Sequence, residues 1–336
     1  MSGKRVAILG AGSWGIAIAN LLCLKGHAIK IWEFDPAACN NLKTTRRLPS
    51  KLPGISLEGC IDVTNDIAES VNQTDFVCCV VPSQNLRSAI HDIANIKADK
   101  KPIFVNLAKG IEVGSLKRMS EVIEEELPAA IRSGVCTVSG PSHAEEVARE
   151  IPTAVTAASE NIRVAEAVQQ LFLTPKFRVY TSTDLLGVEL AGSLKNVIAL
   201  AAGMLDGLGM GDNTRGALLT RGLAEIVRLG LVMGADAMTF SGLSGIGDLV
   251  TTCLSKHSRN RFVGEQVGRG RKLRDVLAKM PMVAEGVQTT RSAYALAEKY
   301  DAEMPITTEV YRVLFENKPP EQAISDLMTR DPKSEA

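Results

Sequence analysis

The sequence carries no excess of charge of either sign: 38 Lys and Arg face 38 Asp and Glu across 336 residues. A neutral balance lacks the summed positive field that nucleic acids and anionic membrane surfaces require, although a few cations can still build a local pocket for a small anion. There is no Cys-x-x-Cys pair. The seven cysteines (Cys23, Cys39, Cys60, Cys78, Cys79, Cys136 and Cys253) are odd in number, and Cys78 and Cys79 sit inside an apolar run. All seven are expected to be reduced, structural thiols of a reducing compartment. The four histidines, His27, His91, His143 and His257, lack metal-ligand spacing, so no metal site is expected. No apolar run is long and clean enough for a membrane span, since the most apolar stretch, 188–205, is broken by Glu189 and Lys195. The first apolar run, 6–9, is too short for a signal-peptide core. These absences leave a cytoplasmic, globular protein as the expectation. Its 45% hydrophobic residues supply a core, and its length suits about two domains.

What is present divides the chain in two. Short apolar runs rich in β-branched residues recur at 6–9, 29–32, 76–81, 103–107, 135–138, 154–157 and 178–180. Segments able to form crossover helices lie between them, including 16–25, 86–95 and 115–126. Repeated strand–helix–strand units predict a Rossmann-type, doubly wound α/β sheet, with the runs near 154 and 178 either extending it or pairing antiparallel. Beyond about residue 184 the strand-like runs stop, and helix-compatible stretches follow at 185–205, 213–233, 273–277, 289–299 and 305–316. The expectation is a dinucleotide-binding domain over 1–187 and an all-α, substrate-binding domain over 188–336, with the change falling within 184–192. Pro319 and Pro320 should open a short last helix, and 333–336 should fray.

Gly10-Ala11-Gly12-Ser13-Trp14-Gly15 follows one predicted strand and opens a helix that leads to the next. That context, more than the glycines alone, points to a dinucleotide. Gly10 permits the turn, Gly12 admits backbone close to a pyrophosphate, and Gly15 lets helix and strand pack closely. The helix N-terminus then receives the anion. Glu33 lies 18 residues past Gly15, near where a carboxylate bonds the adenosine ribose and disfavours a 2′-phosphate. It leans the choice toward NAD over NADP. Asp35-Pro36 reads equally well as the start of the next helix, and Arg46 or Arg47 is placed to reach a 2′-phosphate. Pro82-Ser83 ends its strand as either a chain terminator or a cofactor contact.

Oxidising an alcohol that carries a phosphate needs a base, donors for the emerging carbonyl and cations for the phosphate. Lys109 and the run Gly140-Pro141-Ser142 each follow a predicted strand, in the crevice of such sheets. Lys195 sits among Leu190, Ala191, Leu194, Val197, Ile198 and Leu200, where snorkelling to water competes with a buried catalytic role. Burial and a nearby cation would lower its pKa toward that of a working base. Asp248 is a natural partner for Lys195, with a helix cap as its plainer role. Arg259 and Asn260 suit a phosphate. Glu285 is a loop carboxylate or helix cap.

Seven motifs in order carry a resemblance: Gly10 to Gly15, Asn106-Leu107-Ala108-Lys109-Gly110, Ser139-Gly140-Pro141-Ser142, Leu194-Lys195-Asn196, Gly245-Ile246-Gly247-Asp248-Leu249, Ser258-Arg259-Asn260 and Glu285-Gly286. Over residues 4–330 the chain resembles the NAD(P)-dependent glycerol-3-phosphate dehydrogenases of the bacterial type. The resemblance implies a Rossmann domain joined to a helical domain, and interconversion of sn-glycerol 3-phosphate and dihydroxyacetone phosphate for phospholipid synthesis. It makes Lys195 the proton acceptor, with Lys109 and Asp248 organising the oxygen. Lys109, Gly140, Ser142, Asp248, Thr252, Ser258, Arg259 and Asn260 would surround the substrate. Ser13, Trp14, Phe34, Lys109, Ala144, Arg259, Val283 and Glu285 would join the glycines and Glu33 on NAD or NADP. A homodimer is expected by fold-level analogy. Two departures bear on cofactor choice: the tyrosine common just before Leu52-Pro53-Gly54 is missing, and Phe34 stands where NADP-using members often have a polar or basic residue. Rival readings are a dehydrogenase of 2-hydroxy or 3-hydroxy acids and a non-catalytic nicotinamide sensor.

Overall fold

A computed structural model describes residues 3–94, 96, 100–280, 282–332 and 334–335 of the chain. Eight strands among them form one sheet: β1 (Arg5–Leu9), β2 (Ala28–Trp32), β3 (Ile61–Thr64), β4 (Phe76–Cys79), β5 (Ile103–Asn106), β6 (Gly134–Ser139), β7 (Thr153–Ala158) and β8 (Phe177–Ser182). Their order is β3-β2-β1-β4-β5-β6-β7-β8. The first six are parallel, in the order of a doubly wound nucleotide fold. β7 then runs antiparallel to β6 and parallel to β8, so the runs near 154 and 178 do both things that the sequence left open.

Parallel strands covered on both faces need apolar residues at successive positions, and β1 and β4 have them. Ile8, Cys78 and Val105 face the helix Ser13–Leu24 side, whereas Leu9, Val77, Cys79 and Phe104 face the helices Leu86–Ala94 and Met119–Glu126. β4 stops at Cys79, short of the expected 81, as the chain turns toward Pro82. β3 was not expected. It is a four-residue edge strand with only Ile61 and Val63 to mark it.

After β8 the chain enters the helix Leu185–Gly207, the one helix among the described residues long and apolar enough to cross a membrane. Here 94% of its apolar window is buried inside the fold. Glu189 and Lys195, which break the apolar run, are buried with it. The helices Asp212–Val232, Asp248–Leu254, Arg259–Gly268, Glu285–Tyr300 and Pro305–Phe315 wrap around it and share its core. Helix Arg259–Gly268 meets it backbone to backbone: a Cβ on Gly203 would strike the carbonyl oxygen of Arg261, and one on Gly264 that of Leu200. The expected division at 187/188 falls in the first turn of this core helix. The last helix is Pro320–Met328. Asn95, at the end of the helix expected over 86–95, and Lys333 and Ala336 of the expected tail lie outside the described residues.

One expectation is corrected. Cys23, in the first helix, and Cys60, just ahead of β3, form a disulfide with Cα atoms 6.3 Å apart. The partners are 37 residues apart and meet because the chain returns past the first helix to form β3, so no local spacing signals the pair. The other five cysteines are free and buried, as expected.

Candidate active site

β1 lies between β2 and β4, where the strand order reverses, and the loops at the carboxyl ends of β1 and β4 open a crevice there. Gly10 turns the chain at φ 112° and donates its N–H to the Trp32 carbonyl at 2.9 Å. Gly15 packs so tightly that a Cβ would be driven into the Gly10 carbonyl oxygen. Gly12 has no atom within 4 Å of where a Cβ would stand, and no side chain caps the helix that it precedes. Open space thus meets free N–H groups at a helix N-terminus, which fits a dinucleotide diphosphate.

A cavity of about 350 Å³ runs from this loop to the helical bundle. At its inner end three charged groups converge. Lys195 Nζ lies 2.8 Å from Asp248 Oδ1, and Lys109 Nζ 2.6 Å from Oδ2 of the same carboxylate. Thr252 Oγ1 contacts Lys195 Nζ and donates to Asp248 Oδ1 at 3.2 Å. Lys109 also donates to the Gly140 carbonyl at 2.9 Å. Gly140 can present that oxygen because its φ of 146° and its closeness to Val155 exclude a side chain. Ser142 Oγ donates to the same carbonyl at 2.8 Å. Burial drives the Lys195 ammonium down to about 8, with Asp248 opposing and Lys109 adding to the fall. Burial pulls the Asp248 carboxyl up, but Lys109 and Lys195 outweigh it and hold it below the usual carboxylate range.

Around this triad a hydrogen-bonded chain crosses the molecule. Asn196 Nδ2 donates to the Lys109 carbonyl at 3.3 Å, Asn260 Nδ2 to Asn196 Oδ1 at 2.9 Å, and Gly286 N to Asn260 Oδ1 at 2.9 Å. Ser258 caps the helix Arg259–Gly268, accepting from Arg261 N at 3.2 Å. That helix therefore points its N-terminus, with exposed Arg259 beside it, into the cavity.

The chain matches the family model described as NAD-dependent glycerol-3-phosphate dehydrogenase N-terminus over residues 5–165, and the C-terminus model over 184–325. It belongs to that family. A protein of Chlorobium luteolum named glycerol-3-phosphate dehydrogenase [NAD(P)+] is 53% identical over 330 residues, covering 98% of this chain and 99% of the relative. A relative of the same name from Geobacter metallireducens is 50% identical over 335 residues, covering 99% of each. The crystal structure of glycerol-3-phosphate dehydrogenase from Coxiella burnetii superposes with a TM-score of 0.93 at 36% identity, over 98% of this chain and 100% of that one. The chain is accordingly an oxidoreductase acting on a CH–OH donor with NAD or NADP.

Most of the residues read from the sequence line the dehydrogenase's cavity: Gly10, Gly12, Ser13, Trp14, Glu33, Phe34, Lys109, Ser142, Ala144, Lys195, Asp248, Thr252, Ser258, Arg259, Asn260, Val283 and Glu285. Gly15 and Gly140 do not line it and act through backbone packing and a carbonyl. Four side chains are more committed than expected. Glu33 is 2% exposed and already bonds Lys51 Nζ at 3.1 Å and Asp35 N at 3.2 Å, while Asp35 separately caps the next helix. Its charge is thus partly offset by Lys51. Asn260 uses its oxygen on Gly286 and one amide hydrogen on Asn196, leaving the second for a ligand. Glu285 accepts from Ser83 N at 2.9 Å and from Ser83 Oγ, and burial lifts its carboxyl above the usual range. Arg259 Nη1 donates to the Val283 carbonyl at 2.9 Å.

Cavity residues not singled out from the sequence include Lys51, Met282, His143 and His257. Lys51 and Met282 carry no sequence signal, because a loop brings each across the glycine turn, where Ser13 Oγ meets the Lys51 carbonyl at 2.5 Å and Met282 Sδ at 3.2 Å. His143 and His257 face each other with ring centroids 5.9 Å apart, and each adjoins a serine that was read. Their adjacency to those motifs was the available signal.

Proposed function

We propose that the enzyme catalyses reversible hydride transfer between sn-glycerol 3-phosphate and dihydroxyacetone phosphate, with Lys195 as the general base and acid. The carrying observation is the buried Asp248 carboxylate shared by Lys109 and Lys195 at the inner end of the dinucleotide crevice. The nicotinamide, when bound, accepts or supplies the hydride. Ser13, Trp14, Ala144 and the helix N-terminus after Gly12 would hold the diphosphate, and Glu33, Phe34 and Lys51 the adenosine end. Val283, Glu285 and Lys109 complete the reading of that site.

Lys195, with its pKa lowered to about 8, is neutral often enough to take a hydroxyl proton and charged often enough to return one. Lys109 and Thr252 lie beside the oxygen that changes from hydroxyl to carbonyl, and a fixed cation there favours the developing alkoxide. The phosphate is assigned to the N-terminus of helix Arg259–Gly268, where Arg259, Ser258 and the free amide hydrogen of Asn260 converge. Ser142 and the Gly140 carbonyl keep Lys109 aimed. The same reading assigns a division near 187/188, supply of glycerol 3-phosphate to phospholipid synthesis in the cytoplasm, and a homodimer.

The test is reduction of dihydroxyacetone phosphate, followed by loss of reduced-nicotinamide absorbance with NADH and NADPH in parallel. Turnover is expected. Cofactor binding without turnover on this substrate overturns the assignment in favour of a hydroxy acid or a sensor role.

A further inference from the structure

Glu189 lies in the sheet-facing turns of the core helix and is 5% exposed. Its carboxylate is saturated. Oε1 accepts from Ser120 N at 2.9 Å, Thr137 Oγ1 at 2.9 Å and Asn106 Nδ2 at 3.3 Å. Oε2 accepts from Arg118 Nη1 at 2.8 Å and Ser120 Oγ at 2.5 Å. An ionised group so far from water is costly unless each lone pair is met, and packing alone would be served as well by an apolar side chain. The donors come from β5, β6 and the segment opening helix Met119–Glu126, so one carboxylate ties three pieces of the nucleotide domain to the core helix.

One of these donors leads to the site. Asn106 turns its amide toward Glu189 and closes on the backbone of Ala108 from both ends: Nδ2 donates to the Ala108 carbonyl at 3.1 Å, and Oδ1 accepts from Ala108 N at 3.0 Å. The next residue is Lys109. Its carbonyl is held in turn by Asn196, the neighbour of Lys195 on the core helix. Glu189, Asn106, Ala108, Lys109, Asn196 and the helix between 189 and 196 form a closed ring across the two domains.

We infer that Glu189 is a positioning residue for the reaction: through Asn106 it fixes the Lys109 loop against the helix bearing Lys195, so that both ammonium groups meet one Asp248 carboxylate. The inference rests on the reading of Lys195 as the proton carrier. The groups facing Lys195 are Asp248, Lys109, Cys253 and His143. Among them Lys109 is the cation the ring holds in place, and it depresses the Lys195 pKa. If Lys109 drifts, the Lys195 pKa rises.

The experiment measures glycerol 3-phosphate oxidation against pH for Glu189→Gln, Asn106→Ala and Lys195→Ala, with cofactor Kd from nicotinamide fluorescence. For the first two, kcat is expected to fall about tenfold or more while cofactor Kd holds within about twofold. The midpoint of the rise in kcat with pH should move upward. A lowered kcat with an unmoved midpoint means only a smaller folded fraction and overturns the inference. Asn106→Ala leaves the Arg118–Glu189 pair intact and carries the test if Glu189→Gln does not fold. Turnover retained in Lys195→Ala removes the underlying reading. Turnover lost there, with unchanged kcat and midpoint in the other two, removes the positioning role alone.

Discussion

At the inner end of the cavity two ammonium groups, Lys195 and the partly buried Lys109, share the buried Asp248 carboxylate, whereas at the Phe34 end the buried Glu33 pairs with the partly exposed Lys51, beside an exposed aromatic ring. Lys195 and Asp248 are 5% and 2% exposed, but Phe34 is 74% exposed, and the Lys51 side chain that offsets Glu33 is 25% exposed. A low-dielectric setting strengthens each Coulombic term, so one displaced ammonium at the inner end alters the chemistry outright. At the outer end water and salt weaken the same forces, and selection between two nearly identical cofactors becomes graded. The contrast predicts a cavity strict about its reaction and only graded in its choice between NAD and NADP.

Four results would break or sharpen that contrast. Lys195→Ala should lower kcat by about 10²–10⁴-fold, the usual contribution of a positioned acid or base, with cofactor Kd unchanged. Retained kcat would show that the buried end is structural. Arg259→Ala should reduce kcat/KM for dihydroxyacetone phosphate by about 10–100-fold, the scale of a charge-assisted bond, and barely affect unphosphorylated dihydroxyacetone; equal losses on both would remove the phosphate assignment. Third, oxidation should accelerate with pH through about 8 and reduction should slow, as Lys195 loses its proton. Because this pKa lies below the ordinary lysine value of 10.5, the folded state binds fewer protons at this group than the unfolded one over that window. The Lys195 contribution to stability should therefore grow from about pH 8 toward 10.5, against an opposing loss from the buried Cys78, Cys79, Cys136 and Cys253 thiols, which burial pushes up. The difference in chemical denaturation between the parent and Lys195→Ala isolates it. A difference between the parent and Lys195→Ala that does not shift in the parent's favour over that window would contradict a depressed Lys195. The smallest effect belongs to Lys51→Ala, which should cut the NADPH-to-NADH preference by about threefold or less, and less again in high salt. A shift of several orders of magnitude would erase the distinction between the two ends.

Legibility in the sequence followed the same physics. β1 from Val6 onward and all of β4 are apolar, and the glycine loop stands between a strand and a helix, so β1, β4 and the dinucleotide site could be read directly. Lys195 was legible because a lysine inside an apolar helix has few places to go. Helix Arg259–Gly268 was not among the expected helices, although its Ser258-Arg259-Asn260 start was read as a site. It buries Gly264 and Gly268 against the core helix in place of an apolar stripe, and glycines in sequence signal loops. The Glu33–Lys51 pair and the Cys23–Cys60 bond were hidden for a different reason. Each joins residues that only the completed sheet brings together.

The contact at Gly203 and Gly264 works as a fixed gauge. With backbone already touching backbone, the two helices have no side-chain layer to thin or thicken. The span from Lys195 on one to Arg259 on the other is thus insensitive to substitutions that retune ordinary helix packing. A variant of this scaffold that accepts a longer or bulkier alcohol has to find the room elsewhere around the cavity, among side chains such as Ser142 and His143.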